Sequence, residues 1–307
     1  MGEEPSGGFS ITEQRNPASR VLDDMPVEGI LRLMNEEDRR VAGAIGDVLP
    51  RIADAVELLV ESWRRGGRWI YVGAGTSGRL AALDAAECPP TFGVPAERVR
   101  AVIAGGDEAA VRAVEGAEDD RGAAVRDLRG LDLTPDDAVV GLAASGRTPY
   151  VVAAIQYAAE VGCSTVGISS NPDSELKRVA RVGIEVITGP EVLTGSTRLK
   201  SGTAQKMILN MLSTAAFTRL GKVHENYMVD VQASNEKLRR RSRRIVREIV
   251  GVLDEEAENL LHEAGNSVKV AVVIGKTGAP ADRARGLLEA SGGSVRQALR
   301  AAGTNRP

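Results

Sequence analysis

From Arg68 onward, short apolar runs ending in glycine or serine alternate with helix-forming segments, and this alternation constrains the fold more than any other feature of the chain. The runs are Trp69-Ile70-Tyr71-Val72, Val99-Arg100-Ala101-Val102-Ile103, Val139-Val140-Gly141-Leu142 and Thr165-Val166-Gly167-Ile168, with Ile184-Glu185-Val186-Ile187 as a fifth. Strands that alternate with helices build a parallel sheet covered on both faces. The expected core is therefore a three-layer, doubly wound α/β structure with five parallel strands. In such sheets ligands collect beyond the carboxyl ends of the strands, where the strand order reverses.

Both flanks read differently. After a Pro/Gly-containing leader, Ile30, Leu31, Met34, Val41, Ile45, Val48, Ile52, Val56 and Leu59 recur at three or four, which predicts a helical N-terminal arm from about Pro26 to Arg65. Beyond Thr194 the sequence turns helical again. Val270 to Ile274 fits either a strand or a buried helix, because a short apolar run cannot be typed by periodicity. This divides the chain into a leader and arm (1–58), an α/β domain (59–222) and a small helical C-terminal region (223–307).

Composition removes several classes of function. Only 3% of residues are aromatic and the net charge is −3, so base-stacking platforms are few and bulk charge gives no reason to expect a nucleic-acid partner. The seven basic residues between Lys237 and Arg247 read as a solvated or subunit-facing helix. Two cysteines, Cys88 and Cys163, and two histidines, His224 and His262, supply neither a disulfide framework nor the usual ligands of a catalytic metal. Neither metal nor cofactor is expected, Cys88 reads as a packed residue, and His224 is given no role. With no apolar signal core and no membrane-length stretch, a cytoplasmic protein without a membrane partner is expected. Met1-Gly2 followed by Ser6 matches a myristoylation pattern by chance, since Glu3 and Glu4 offer no polybasic second anchor.

Three strand ends carry small hydroxylated residues. The first run opens into Gly73-Ala74-Gly75-Thr76-Ser77-Gly78-Arg79, the third into Ala143-Ala144-Ser145-Gly146-Arg147-Thr148-Pro149, and the fourth into Ser169-Ser170-Asn171. The first loop alone reads equally well as a plain strand-to-helix turn, and it lacks the glycine spacing and acidic residue of a dinucleotide fingerprint. Three such ends converging in one sheet make a phosphate site built from neutral donors and helix dipoles. Gly75, Thr76, Ser77, Ser145, Gly146, Arg147, Thr148, Ser169 and Ser170 are its candidate residues. No Walker lysine follows any of these loops, so a sugar phosphate fits better than a nucleotide.

Two acids stand near these loops. Glu87 falls immediately before Cys88-Pro89-Pro90, which is expected to end the helix after the first loop, and a carboxylate at that end opposes the helix dipole. Such a broken local rule beside a ligand loop marks a functional candidate. Glu118 lies in Glu115-Gly116-Ala117-Glu118-Asp119-Asp120, on a helix expected to be capped near Asp107. Taken alone this acidic run is a solvated face, and the residues themselves do not choose among its acids.

Several words of the sequence closely resemble the N-acetylmuramic acid 6-phosphate etherase family. They are Thr12-Glu13-Gln14-Arg15-Asn16, Gly73 to Arg79, Asp84-Ala85-Ala86-Glu87-Cys88-Pro89-Pro90-Thr91, Ala113 to Asp119, Ala143 to Tyr150 and Thr194 to Lys206. The resemblance runs in order from about Thr12 to Leu238. It implies the sugar isomerase (SIS) fold, a homodimer, and cleavage of a lactyl ether from an amino-sugar phosphate with water as co-reactant. It makes Glu87 the proton donor to lactate and Glu118 the second catalytic residue, the base at C2, with Glu115 as runner-up. Arg198, Lys200 and Lys206 are candidates to bind the lactyl carboxylate, although each reads equally well as a helix-surface cation. Two rival functions share such loops: a non-catalytic sugar-phosphate regulator, which needs no acid/base pair, and an aldose-ketose isomerase.

Overall fold

A computed structural model describes residues 10–232 and 235–304. The Met1-Gly2 pattern, with the rest of the first nine residues, lies outside the described residues. The chain divides into two compact units. One takes in the described residues up to Ala86 together with Glu97–Leu212; the other takes in Glu87–Ala96 and the described residues from Ser213 onward.

The first unit opens with 3-10 turns at Ile11–Glu13, Pro17–Ser19 and Leu22–Asp24, followed by α1 (Val27–Gly46) and α2 (Leu49–Arg64). The expected arm is thus two helices, broken at Asp47 and Val48 because Pro50 starts a new helix at its first turn. Helix α2 packs on the sheet and so runs across the expected boundary between residues 58 and 59.

The sheet consists of β1 (Trp69–Gly73), β2 (Val99–Ile103), β3 (Ala138–Leu142), β4 (Ser164–Ser169) and β5 (Val182–Glu185), all parallel, in the order β2-β1-β3-β4-β5. The fifth strand lies two residues earlier than the apolar run suggests. Strands β1, β3 and β4 are buried throughout, which explains their continuous rather than alternating apolar character. Between them run α3 (Gly75–Phe92), α4 (Glu108–Val111), α5 (Arg121–Arg129), α6 (Pro149–Val161) and α7 (Glu175–Val179), and α8 (Lys200–Arg219) follows β5. Ile70, Val72 and Val139 pack with α5 and α6 on one face. On the other, α2 lies against β1, β3, β4 and β5, and the Trp69 indole N–H donates to the Leu59 carbonyl at 2.9 Å.

The amino ends of β1 and β3 are joined by one buried carboxylate. Asp137 accepts from the Arg68 backbone at 2.7 Å, from its guanidinium at 2.7 Å and 3.1 Å, and from the Thr134 backbone at 2.9 Å. Burial works to raise its pKa, yet these donors hold it below the ordinary carboxylate value.

The second unit holds a short hairpin of β6 (Val223–His224) and β7 (Tyr227–Met228), then α9 (Glu236–Val250), α10 (Asp254–Glu263), α11 (Val268–Thr277), α12 (Ala281–Ala290) and α13 (Val295–Ala301). Helix α11 decides the open reading of Val270 to Ile274. Every residue from Val268 to Ile274 is buried, so no polar face exists to reveal a helical period. The basic run forms much of α9, where Arg240 meets Glu236, Arg243 meets Glu258 and Arg247 meets Asp254.

Helix α3 corrects an expectation about Glu87. The two prolines do not end it: Pro89 and Pro90 lie inside the helix, which closes at Phe92. Proline removes an N–H but keeps its carbonyl, and Gly93, at φ +62°, donates to the Pro89 carbonyl at 2.9 Å. Phe92 also packs on Phe217 with ring centroids 4.5 Å apart. Glu87 therefore stands five residues before the helix end, beyond the last turn where the dipole acts.

Candidate functional site

The loops after β1 and β3 meet at the point where the strand order reverses. There they line a cavity of about 440 Å³ with Thr12, Glu13, Gly75, Thr76, Ser77, Glu118, Asp119, Ser145, Arg147, Thr148, Gly195 and Thr197 among its walls. Helix α3 opens on Gly75, so the N–H groups of Gly75, Thr76 and Ser77 have no intrahelical acceptor. Helix α6 opens on Pro149, with Thr148 at its N-cap position making no capping bond. Two open helix N-termini, flanked by hydroxyls and one guanidinium, form a site for an anion. Tyr150, in the first turn of α6, donates to Asp127 at 2.5 Å and fastens that helix to α5. Burial, then this carboxylate, pushes the phenol pKa up, so it remains a donor.

Not every expected residue reaches the cavity. Gly146 sits behind the loop at φ +68°, where a β-carbon would come within 2.4 Å of Ser174 Cβ. Gly146→Ala is expected to lower the unfolding free energy by about 1–3 kcal/mol, measured by chemical denaturation. Ser169 and Ser170 are buried away from the cavity lining. The Ser169 hydroxyl donates within its own loop, to Ser174 Oγ at 3.1 Å, because the fourth strand end is packed rather than open. Lys206 is exposed on α8 and Arg198 precedes that helix; neither lines the cavity.

Lys200 is removed from the carboxylate candidates by its own partner. It is 1% exposed, and its ammonium meets Glu37 of α1 at 2.5 Å. Burial tends to raise the Glu37 pKa, but Lys200, then Asn16 and Arg40, hold it below its ordinary value. The start of α8 is closed by Glu191, whose carboxylate accepts from the Lys200 and Ser201 backbones at 3.0 Å each.

Glu118 does not lie on the helix that starts near Asp107. Helix α4 is four residues long; Arg112 is extended, Gly116 is left-handed at φ +73°, and Glu118 occupies a separate 3-10 turn, Ala117–Asp119. The helix has already ended at the extended Arg112, and the left-handed Gly116 then sets the start of the turn that carries Glu118. Arg79 of α3 pins this segment by donating to the Ala110 carbonyl at 3.3 Å and the Arg112 carbonyl at 2.9 Å. Glu118 also lines a second cavity of about 390 Å³, which shares Ala74 and Gly75 with the first and holds Glu115. Glu87 is exposed on α3, in the stretch that belongs to the second unit.

Sequence reasoning missed Thr12, Glu13, Asp119, Gly195 and Thr197 as cavity residues. The available signal was that the first and last of the segments that resemble the family, Thr12 to Asn16 and Thr194 to Lys206, both contain such residues. Thr12 is fully buried, and Asn171 binds it twice: its Oδ1 accepts from the Thr12 backbone at 3.3 Å, and its Nδ2 donates to the Thr12 hydroxyl at 3.1 Å. The same amide donates to the Ala144 carbonyl at 3.0 Å, which ties the N-terminal turn to the loop after β3.

Comparison with known proteins agrees with this architecture. Residues 51–159 match the model of the glucokinase regulatory protein N-terminal SIS domain, and residues 123–215 match the SIS domain. A phosphoheptose isomerase from Francisella tularensis superposes with a TM-score of 0.50 at 17% identity, covering 63% of this chain and 100% of that one, a likeness of fold alone. N-acetylmuramic acid 6-phosphate etherases from Yersinia pestis (strain Pestoides F) and Yersinia pseudotuberculosis serotype O:1b (strain IP 31758) are each 54% identical over 292 residues. Each alignment covers 95% of this chain and 99% of the relative. At that identity over nearly the whole length, the chain belongs to the N-acetylmuramic acid 6-phosphate etherase family.

Proposed function

We propose that the chain cleaves the lactyl ether of N-acetylmuramic acid 6-phosphate to give N-acetylglucosamine 6-phosphate and D-lactate, by elimination of lactate and addition of water. The observation that carries this reading is the cavity in which the Glu118 carboxyl stands with the open N-termini of α3 and α6. The helix termini, with Thr76, Ser77, Ser145 and Thr148, hold the phosphate, leaving the sugar carbons toward Glu118.

The substrate reacts as its open-chain aldehyde, whose carbonyl acidifies the C2 hydrogen. Glu118 takes that proton, the electron pair forms the C2–C3 double bond, and the C3–O bond breaks. An alkoxide is a poor leaving group, so Glu87 supplies a proton to the departing lactate oxygen. Water then adds at C3 and a proton returns to C2. The division of labour asks for two carboxyl groups in different protonation states. The family motif around Glu87 supports the acid role, and the motif around Glu118 supports the base role.

Incubation with N-acetylmuramic acid 6-phosphate in water labelled with deuterium and oxygen-18 tests substrate and mechanism together. Lactate release with deuterium at C2 and oxygen-18 at C3 is expected. Ketose formation would mean an isomerase, and binding without turnover a regulator. Glu87→Ala is expected to slow lactate release by about 10²–10⁴-fold while C2 exchange continues. Undiminished lactate release in that variant removes the acid role. A homodimer and a cytoplasmic home belong to the same reading through the family likeness. Light scattering at twice 32.4 kDa is the expected result for the dimer.

A further inference from the structure

Glu13 lines the sugar-phosphate cavity and has no part in the proton chemistry. We infer that Glu13 is a substrate-contacting residue whose carboxylate accepts a hydrogen bond from the C4 hydroxyl of the bound sugar. This deepens the function proposed above and rests on that reading for the identity of the sugar.

Three observations carry it. The turn that bears Glu13, Ile11–Glu13, is held in place: Thr12 is fully buried and bound twice by Asn171, and the Glu13 backbone donates to Ser10 at 2.8 Å. The carboxylate lies along the cavity wall, since its Oε2 is 3.3 Å from the point a β-carbon on Gly195 would occupy, and Gly195, left-handed at φ +77°, lines the same cavity. Its charge is uncompensated, because no cation lies within ion-pair distance of it among the described residues.

Glu13 is exposed at the cavity, and its carboxylate is repelled by a phosphate held at the two helix N-termini, so a contact with the ligand falls on another part of it. A carboxylate only accepts hydrogen bonds, and hydroxyl-to-carboxylate bonds are among the strong ones. Position C2 of this sugar carries the acetamido group, C3 the ether and C6 the phosphate. The C5 oxygen closes the ring, and the anomeric carbon becomes the aldehyde. The C4 hydroxyl is therefore the one hydroxyl that persists unchanged from ring to open chain.

The test measures equilibrium binding, which does not depend on turnover. Dissociation constants for N-acetylglucosamine 6-phosphate and its 4-deoxy analogue are compared in the native protein, Glu13→Ala and Glu13→Gln. The native protein is expected to bind the 4-deoxy analogue about 10–100-fold more weakly, the factor for one hydrogen bond to a charged group. Glu13→Ala is expected to lose that discrimination, Glu13→Gln to keep part of it, and neither to bind inorganic phosphate more weakly than the native protein, since both remove a charge that repels it. Equal discrimination in the native protein and Glu13→Ala overturns the inference. If the native protein discriminates in this way but releases no lactate, the proposed reaction fails while the Glu13 contact stands. Should Glu13→Ala fail to fold, unchanged discrimination in Glu13→Gln together with Thr12→Val, which loosens the turn, overturns it equally.

Discussion

Replacing Glu118 by glutamine is expected to lower turnover of N-acetylmuramic acid 6-phosphate by about 10²–10⁴-fold, the usual worth of a positioned general base. Deuterium from solvent should cease to enter C2 of the sugar. Affinity for phosphate should hardly change, because the α3 and α6 N-termini are untouched by the substitution. Glu115→Gln serves as the contrast. Glu115 lines only the second of the two cavities that Glu118 spans, and it is expected to leave C2 exchange nearly intact. Exchange that persists in Glu118→Gln and disappears in Glu115→Gln would exchange the two assignments.

The second large effect concerns stability. Lys200→Met is expected to cost about 3–5 kcal/mol in chemical denaturation, because it leaves the Glu37 carboxylate buried without its main cation. Glu37→Gln combined with Lys200→Met should recover much of that loss, since the cost lies in the orphaned charge rather than in the missing bond. The pH dependence follows from the direction of the Glu37 shift. Its folded pKa lies below the ordinary 4.5, so its contribution is complete above about that pH and is lost as the pH falls through the lower folded value. Retention of native stability by Lys200→Met would show that the pair contributes nothing.

The strands and the first two loops were legible because burial on both faces writes itself as short apolar runs, and helix starts after parallel strands need glycine and small hydroxyls. The fourth strand end carried the same residue types, yet Ser169 and Ser170 are interior. Hydroxyl content alone does not say whether a serine faces a ligand or another serine. Lys200 shows the same limit for charge: a lysine among polar neighbours reads as solvated until its partner, far away in sequence on α1, is seen beside it. The expectation that Pro89 ends α3 failed because tertiary packing of Phe92 and a left-handed Gly93 carry the helix one turn further. Glu118 was named through family likeness, not physics; the four-residue α4 and the left-handed Gly116 that set its turn leave no periodic trace.

The bond between Thr12 and Asn171 has a temporal side. Its two ends are 159 residues apart, whereas the strand order around the cavity is established by neighbours much closer in sequence. At synthesis rates of about 5–20 residues per second, Thr12 exists for roughly 8–30 s before the asparagine that will hold it has been made. A contact of such long sequence separation costs more to close than the local pairings of helices, so refolding should show binding competence arriving after the bulk of the helical signal.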